Sequence, residues 1–333
     1  MGVITGTSPI AGSISEYLRA GVILLYFPIR EEITSYKKLN YFVKHLIFSL
    51  FLTFIFWSIL NYLRISSARN IYEATSFQRS NQEIFTLGII FGSIFYISLK
   101  GFKSKSAFLI LTLFSGIGLI ITFSRVYWIT TIMGLTISFF FFEAKKKINI
   151  LFLVFTILTI FIIGILTLAP ELSEYLFDYF YKRFTSSTDL TGDVSFLSRF
   201  DEIFKLYDEI YLYLLGGMGL SRDFSYYNSS FDLVNWISPF IHNAYVHISY
   251  KAGIPMALVY FSVLGFYVTS SLSKIRKNNS EIINAFYLSS GICIIIFLIV
   301  SLLTSTFSSR PGGVFLALVI AFINIADNLK NDK

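Results

Sequence analysis

Long apolar runs, separated by short polar stretches, dominate this chain. A helix needs roughly 20 apolar residues to cross a bilayer straight, and several runs approach or reach that length. The predicted spans lie at residues 42–63, 84–99, 107–123, 127–142, 148–169, 254–272, 282–303 and 312–325, with a ninth, shorter candidate at 18–29. The pattern therefore predicts an all-α, polytopic membrane bundle of about eight or nine helices.

The polar stretch from 170 to 241 is the longest interruption of this pattern. It carries five basic and eleven acidic residues, which give it a net charge of −6. Apolar residues recur at helical spacing in 171–184 and again in 198–214, with polar residues on the opposite side. Both segments are predicted to be short amphipathic helices that lie on a membrane surface.

Residues that begin or end helices mark further boundaries. Ser198 is the predicted N-cap of the second amphipathic helix, and the glycines around Gly217 end that helix. Another short helix is predicted at 244–251, because Gly253 stops it and Pro255 suits the first turn of the following span.

Composition and charge support a membrane protein and indicate its orientation. Hydrophobic residues make up 55% of the chain and charged residues 14%, and the net charge is +7. The basic residues form short clusters between spans, which argues against a nucleic-acid partner. The clusters lie at 37–44, 100–105, 145–147, 274–277 and 330–333. They share one side if the spans alternate, so the positive-inside rule predicts an inner (cytoplasmic) membrane protein with the long loop outside and the C-terminus in the cytoplasm.

Three regions follow from this topology. They are an N-terminal transmembrane bundle at 1–169, an extracytoplasmic, periplasmic loop at 170–241 and a C-terminal transmembrane bundle at 242–333. The start of the chain has no basic region before an apolar core, so we do not expect a signal peptide there, and we expect the N-terminal bundle to be part of a larger one. The single cysteine, Cys293, lies within a span, which excludes a disulfide framework.

Candidate chemistry concentrates on the predicted outer face. His242 lies where the long loop meets the next span, Arg125 lies in the short link 124–126 between spans, and Arg199 lies at the start of the second loop helix. A guanidinium presents paired donors that match two phosphate oxygens. A cation in a first helical turn opposes the helix dipole, so we expect Arg199 to serve another purpose.

Plainer interpretations stay open for each of these residues. Arg125 fits an interfacial anchor, Arg199 fits a solvated ion pair with Glu202, and His242 fits an interfacial histidine. His247 follows His242 by five residues and would point about 140° away on a helix, so a two-histidine metal site is poorly supported.

The order of several motifs adds information. The polar entry Phe77-Gln78-Arg79-Ser80-Asn81 precedes a span, Ser124-Arg125 ends one, and Arg199 precedes a helix that Gly217-Met218-Gly219 closes. His242-Asn243-Ala244-Tyr245 then comes ahead of Gly253 and three closing spans. From about 77 to 260, a little over half of its length, the chain resembles the O-antigen ligase and O-antigen polymerase superfamily of bacterial membrane glycosyltransferases.

This resemblance implies an activity and assigns roles to residues. Such enzymes transfer a glycan from an undecaprenyl diphosphate carrier to a sugar hydroxyl at the outer face of the inner membrane, without a metal or another cofactor. The acceptor is a lipid A core sugar for a ligase, or a carrier-linked repeat unit for a polymerase. By position, Arg125 and Arg199 would bind the diphosphate and His242 would take the proton of the attacking hydroxyl. The secondary candidates for contacts to the donor are Arg222, Arg310 and Asn243.

Two other classes of function remain as alternatives. A transporter or flippase of lipid-linked oligosaccharides would carry ionisable residues within its spans and would consist of two related halves. The spans of this chain carry almost no ionisable residues. A non-catalytic subunit of envelope assembly would use the aromatic-rich loop to dock partners only.

Overall fold

The computed structural model describes 18, 21–67, 81–99, 102–122, 124–143, 146–149, 151–153, 155–156, 159, 162–163, 181, 194–219, 222, 224–228, 233–238, 241–275, 280–304, 306 and 309–331. A 3₁₀ helix at Val22–Leu25 is followed by α1 (Tyr26–Glu32), α2 (Tyr36–Ser67), α3 (Gln82–Ser98), α4 (Phe102–Ile121), α5 (Arg125–Phe141), α6 (Val194–Leu212), β1 (Phe224–Asn228), β2 (Leu233–Ser238), α7 (Ala244–Ala252), α8 (Ile254–Lys274), α9 (Glu281–Val300) and α10 (Arg310–Asn331).

The chain is a helical membrane protein. Within the described ranges, four helices are long and apolar enough to cross a bilayer: Tyr36–Phe56 of α2, Ile254–Lys274, Glu281–Val300 and Arg310–Leu329. Three shorter apolar helices are Gln82–Ser98, Lys105–Ile120 and Arg125–Phe141. All seven overlap predicted spans.

The predicted total of eight or nine spans is not confirmed. The ninth candidate, at 18–29, overlaps the 3₁₀ helix and the seven-residue α1, which are too short to cross a bilayer by themselves. Much of the predicted span at 148–169 lies outside the described residues.

The chain divides into two compact units, each built from three segments. One unit, the loop unit, comprises 1–25, 184–267 and 297–317. The other, the bundle unit, comprises 26–183, 268–296 and 318–333. The division expected from sequence, at 169 and 241, stays a prediction.

Small residues bring α3 and α4 of the bundle unit together. A Cβ atom at Gly88 would overlap the Ser115 side chain, and one at Gly92 would overlap that of Thr112. A pair of small residues four apart on a helix lets a neighbouring backbone approach closely, which is how membrane helices gain packing contacts.

Aromatic rings and one ionic group consolidate the rest of the bundle unit. Phe286 packs against Phe95 and Phe322 with ring centroids 4.7 and 5.2 Å apart. Asp327 accepts hydrogen bonds from Lys274 Nζ at 2.7 and 2.8 Å and from the Tyr287 hydroxyl at 2.6 Å. These contacts connect α8, α9 and α10 within this unit.

Helix α6 of the loop unit confirms the predicted second amphipathic helix, with a different start. It begins at Val194, four residues before Ser198, so the predicted N-cap at Ser198 is wrong. Arg199 is therefore the sixth residue of the helix, and the dipole argument for it does not hold. The predicted helix at 171–184 lies outside the described residues except for Tyr181.

A β-hairpin follows α6 and was not predicted. Strands β1 and β2 pair antiparallel, with Phe224 opposite Ser238 and Tyr226 opposite Trp236. Both strands are rich in the aromatic and β-branched residues that favour extended structure, with Phe224, Tyr226 and Tyr227 in β1 and Val234, Trp236 and Ile237 in β2. The extracytoplasmic segment expected from sequence is therefore not built from helices alone.

The predicted short helix before α8 is confirmed as α7. The Asn243 side chain caps it by accepting hydrogen bonds from the N–H groups of Tyr245 and Val246. Gly253 ends it with φ of 87°, and Pro255 lies in the first turn of α8, as predicted. The Ala244 N–H donates to the Ser301 carbonyl at 2.8 Å, which ties the start of α7 to the end of α9.

Two glycines allow the segment after α6 to run against the end of α7. Gly217 has φ of 64°, and a Cβ atom there would lie 2.6 Å from the backbone nitrogen of Gly253. A Cβ atom at Gly253 would overlap the Leu215 carbonyl. The Met218 N–H donates to the Tyr250 carbonyl at 2.7 Å. Only glycine suits this contact, because both positions combine positive φ with a backbone neighbour.

Candidate functional site

Glu202 of α6 and His242, just before α7, form a hydrogen-bonded pair in the loop unit. The backbone N–H of His242 donates to Glu202 Oε2 at 2.8 Å, and His242 Nδ1 lies 3.3 Å from both carboxylate oxygens. Glu202 has 1% of its side chain exposed, whereas His242 has 54%. A buried acid thus holds an imidazole that is open to its surroundings.

Packing of α6 against α7 explains the burial of Glu202. Leu206 lies one turn after Glu202 and forms a buried cluster with Ile241 and Tyr250. Residues four apart share a helix face, so the packing of Leu206 carries Glu202 into the same interior. Each such buried side chain contributes on the order of 1.5–3 kcal/mol. Because Ile241 directly precedes His242, this cluster fixes both members of the pair.

The geometry determines which ring nitrogen of His242 is available. A carboxylate accepts hydrogen bonds, so a neutral His242 ring that makes this contact carries its proton on Nδ1 and has its lone pair on Nε2. Glu202 thereby selects one tautomer and one ring orientation. An imidazole oriented by an acid is the arrangement by which many enzymes position a general base. Such a pair is suited to taking a proton from a hydroxyl group next to Nε2.

Arg199 lies one turn before Glu202 on α6. Side chains three residues apart project from the same side of a helix, so Arg199 and Glu202 lie on one side of α6. The Arg199 side chain is half-buried and interacts with neighbouring groups. Of the three primary candidates, Arg199 and His242 therefore belong to the same unit, and Arg199 projects from the side of α6 that carries Glu202.

The secondary candidates have other contacts. Asn243 Oδ1 caps α7, with acceptor distances of 3.0 and 3.1 Å, so this oxygen has a structural role. Arg222 is exposed, and its carbonyl accepts a hydrogen bond from Lys251 Nζ at 2.7 Å. Arg310 is exposed at the first residue of α10. Both arginines lie in the loop unit with His242.

Helix α7, which follows His242, carries two polar side chains that are largely buried, those of His247 and Tyr250. The Ile241 N–H donates to His247 Nδ1 at 3.3 Å, so this nitrogen is unprotonated. Burial, with a further contribution from the charge of Lys251, lowers the pKa of His247 to about 3. Burial and the neighbouring Glu209 raise the pKa of Tyr250, whose hydroxyl donates to Glu209 Oε2 at 3.1 Å. His247 is therefore a neutral structural group, in contrast to the exposed His242.

Arg125 is the first residue of α5 and lies in the bundle unit. Two residues later, the Tyr127 hydroxyl donates to the buried Glu83 carboxylate at 2.9 Å. This bond joins the first turns of α3 and α5, so Arg125 lies at a helix end that is fixed by an internal hydrogen bond. A common pocket for Arg125 and His242 stays a prediction.

The side of α6 opposite Glu202 is an exposed aromatic stripe. Phe204, Tyr207 and Tyr211 have exposed fractions of 74%, 69% and 71%. At 100° per residue, Phe204 points about 160° away from Glu202. An exposed apolar stripe on an amphipathic helix suits contact with the lipid interface.

The role of Glu202 was not predicted from the sequence. Its side chain is buried against His242, so it is not the solvated carboxylate that was expected. The sequence does contain a pattern that indicates burial of Glu202, because Glu202 lies four residues before Leu206 and on the side of the helix opposite the aromatic stripe. Periodicity cannot tell which of two such faces meets another element.

Comparisons with known proteins assign no family to this chain. No protein-family profile matches it, and no curated protein matches it significantly. Among the described side chains, no three His, Cys, Asp or Glu residues group as a metal site would require. The site is therefore interpreted from its own geometry.

Proposed function

We propose that the protein is a membrane glycosyltransferase of the O-antigen ligase or polymerase type. It would transfer a glycan from an undecaprenyl diphosphate carrier to a sugar hydroxyl at the outer face of the cytoplasmic membrane. The observation that carries the proposal is the buried Glu202 carboxylate that orients the exposed His242 ring. The resemblance in motif order adds the substrate class.

In this proposal His242 is the general base. The acceptor hydroxyl oxygen bonds to the anomeric carbon of the donor sugar, its proton passes to His242 Nε2, and the bond from that carbon to the diphosphate oxygen breaks. Glu202 stabilises the imidazolium that forms, because it already contacts Nδ1 at 3.3 Å. Positioned proton transfer contributes typically ~10²- to 10⁴-fold in rate.

The leaving diphosphate needs cations, and Arg199 and Arg125 are the proposed ones. Negative charge on the bridging oxygen grows as the glycosidic bond breaks, so positioned guanidinium groups stabilise the transition state more than the ground state. Arg199 is one turn from Glu202, which supports a role beside the base. Arg125 is the second cation that the resemblance in motif order assigns to the diphosphate.

The aromatic stripe of α6 supports a lipid-linked substrate. A carrier lipid keeps its chain in the bilayer and presents its diphosphate at the interface. A helix that contacts this interface through Phe204, Tyr207 and Tyr211 holds Glu202 on its other side. The base would therefore operate just outside the hydrocarbon, where the glycosidic bond of the donor lies.

Complementation of a deletion strain of the native host tests the proposal. His242→Ala and Glu202→Gln should abolish or strongly reduce the surface glycan on a gel, at membrane expression equal to that of the wild type. His45→Ala is the matched control, because His45 is exposed on α2. Full glycan with His242→Ala would contradict the proposal and favour a non-catalytic role in envelope assembly.

The deletion strain separates the two acceptors. Loss of a ligase should leave bare core and polymer on the carrier, whereas loss of a polymerase should leave core with a single repeat unit. An unchanged surface glycan in the deletion strain would exclude both activities.

A further inference from the structure

Helix α6 presents a second acid to α7 on the side that carries Glu202. Glu209 follows Glu202 by seven residues, which is close to two helical turns, so the two side chains share one side of the helix. Glu209 Oε2 accepts a hydrogen bond from the Tyr250 hydroxyl of α7 at 3.1 Å. Leu206, which packs with Ile241 and Tyr250, lies between the two acids along α6. The two carboxylates are therefore about 10 Å apart along the helix axis.

The second acid holds an arginine through a tyrosine. The Arg222 guanidinium donates a hydrogen bond to the Tyr250 hydroxyl, and this hydroxyl donates to Glu209. Tyr250 is 1% exposed, whereas Arg222 is an exposed residue. A guanidinium carries five N–H donors in a planar fork, so one bond to Tyr250 fixes its direction while most of its donors are not used by that bond. The arrangement parallels the first pair, in which an acid of α6 orients an exposed imidazole.

A buried lysine fixes the backbone of Arg222. The Lys251 side chain is 3% exposed, and its Nζ donates to the Arg222 carbonyl at 2.7 Å. Upstream of Arg222 the chain is also bonded to α7, because the Met218 N–H donates to the Tyr250 carbonyl at 2.7 Å and the Gly219 N–H donates to the Lys251 carbonyl at 3.0 Å. The backbone and the side chain of Arg222 are thus held by separate partners, and a group that is already ordered loses less conformational entropy when it binds a ligand.

Arg222 is anchored where α7 meets a membrane span. Lys251 lies three residues before Ile254, the first residue of α8, which is long and apolar enough to cross a bilayer. The Ile254 N–H donates to the Leu214 carbonyl at 2.9 Å, so the segment that leads to Arg222 starts at the same boundary. His242 lies before the opposite end of α7. An arginine at the start of a span is at the level of the lipid phosphate groups, which suits a phosphate that is attached to a lipid chain.

We propose that Arg222 binds the lipid-side phosphate of the donor diphosphate and that Glu209, Tyr250 and Lys251 are the residues that position it. The inference rests on the lipid-linked donor of the proposed function. The glycosidic bond breaks at the other phosphate, next to His242, so the charge on the lipid-side phosphate changes little during the reaction. Arg222 therefore stabilises the bound donor and the transition state alike, which lowers KM and leaves kcat nearly the same.

Native mass spectrometry of the detergent-purified full chain tests this inference without any transfer reaction. The probes are undecaprenyl diphosphate, undecaprenyl monophosphate and undecaprenol, which share one chain and differ in their phosphates. Arg222→Gln should weaken retention of both phosphates about tenfold, because charge-assisted hydrogen bonds are lost, and should leave retention of undecaprenol unchanged. Arg222→Lys should have an intermediate effect, since it keeps the charge and loses the planar fork. Arg30→Gln, at an arginine of α1 in the bundle unit, is the matched control.

The positioning residues need a measurement that a merely structural role would not change. Tyr250→Phe keeps the ring in the buried cluster and removes the hydroxyl that joins Arg222 to Glu209. It should weaken retention of the two phosphates several-fold and leave that of undecaprenol unchanged, whereas general loosening of the fold would weaken all three. If Tyr250→Phe does not fold, Glu209→Gln tests the same connection. In a transfer assay these variants should raise KM for the donor, in contrast to His242→Ala, which should lower kcat.

The outcomes separate this inference from the proposed function. Selective loss of phosphate retention in Arg222→Gln would support the phosphate site even if His242→Ala kept full surface glycan, a result that would remove only the enzyme. Wild-type retention and wild-type KM in Arg222→Gln would overturn the inference and leave the enzyme standing. An equal loss of phosphatidylglycerol retention in Arg222→Gln would also overturn it, because Arg222 would then be a general anchor for lipid phosphates.

Discussion

Glu202 and His242 are forty residues apart in the chain, and the Glu202 carboxylate accepts a hydrogen bond from the backbone N–H of His242 and contacts the Nδ1 atom of its ring. The two contacts have different consequences. The backbone bond fixes the position of the segment that leads into α7, and the ring contact fixes the direction of Nε2. One buried acid therefore controls the location and the orientation of the proposed base.

Replacement of Glu202 should separate these two effects. Glu202→Gln keeps one oxygen for the His242 N–H but places an amide beside Nδ1, so it disfavours the required tautomer. We expect transfer activity to fall on the order of 10²- to 10⁴-fold with little change in Tm. Glu202→Ala should also destabilise the fold by about 1–3 kcal/mol, because the His242 N–H loses its hydrogen-bond acceptor. Glu143→Gln, at an exposed acid, is the control.

Acid should destabilise the protein through His247. Its pKa is lowered from 6.5 to about 3 in the folded state, mainly by burial and also by Lys251. Between these values the unfolded chain binds a proton that the folded chain does not, so stability is full above pH 6.5 and falls as the pH decreases. The slope from this group reaches about 1.4 kcal/mol per pH unit.

The variant His247→Gln tests this dependence. Glutamine does not titrate and offers an oxygen to the Ile241 N–H. The decrease of Tm below pH 6.5 should therefore be shallower than in the wild type, whereas His45→Gln should keep the wild-type slope. Parallel curves for the wild type and His247→Gln would contradict the assignment.

The contact between Gly217 and Gly253 should be sensitive to a single methyl group. Gly253→Ala places a Cβ atom against the Leu215 carbonyl at a φ of 87°, so we expect a loss of roughly 1–3 kcal/mol. Gly265→Ala is the matched control, because a Cβ atom there meets nothing within 4 Å. The buried thiol of Cys293, the single cysteine of the chain, can report unfolding through its reaction with a fluorogenic maleimide.

The bond between Tyr127 and Glu83 should stabilise the bundle unit beside Arg125. Tyr127→Phe removes the hydroxyl that donates to a buried carboxylate at 2.9 Å, and we expect a cost of about 1–3 kcal/mol in the free energy of unfolding. Tyr41→Phe, at an exposed ring, should be neutral. Equal Tm values for the two variants would show that the bond does not contribute.

Local patterns were sufficient to predict much of the helical architecture. Predicted spans at 254–272 and 282–303 correspond to helices Ile254–Lys274 and Glu281–Val300. The helix α7 and its end at Gly253 were also predicted, because apolar periodicity and glycine preferences act over a few residues. The hairpin Phe224–Ser238 was missed, since its strands depend on pairing with each other.

The sequence by itself determined that this chain is a helical membrane protein and that a short helix, α7, follows His242. Hydrophobicity and periodicity suffice for these conclusions because both are properties of short segments. Only the tertiary structure decided which side of α6 is interior, and thereby that Glu202 orients His242 while Phe204 stays exposed. The physical reason is that burial of a carboxylate depends on a partner forty residues away, which no local pattern encodes.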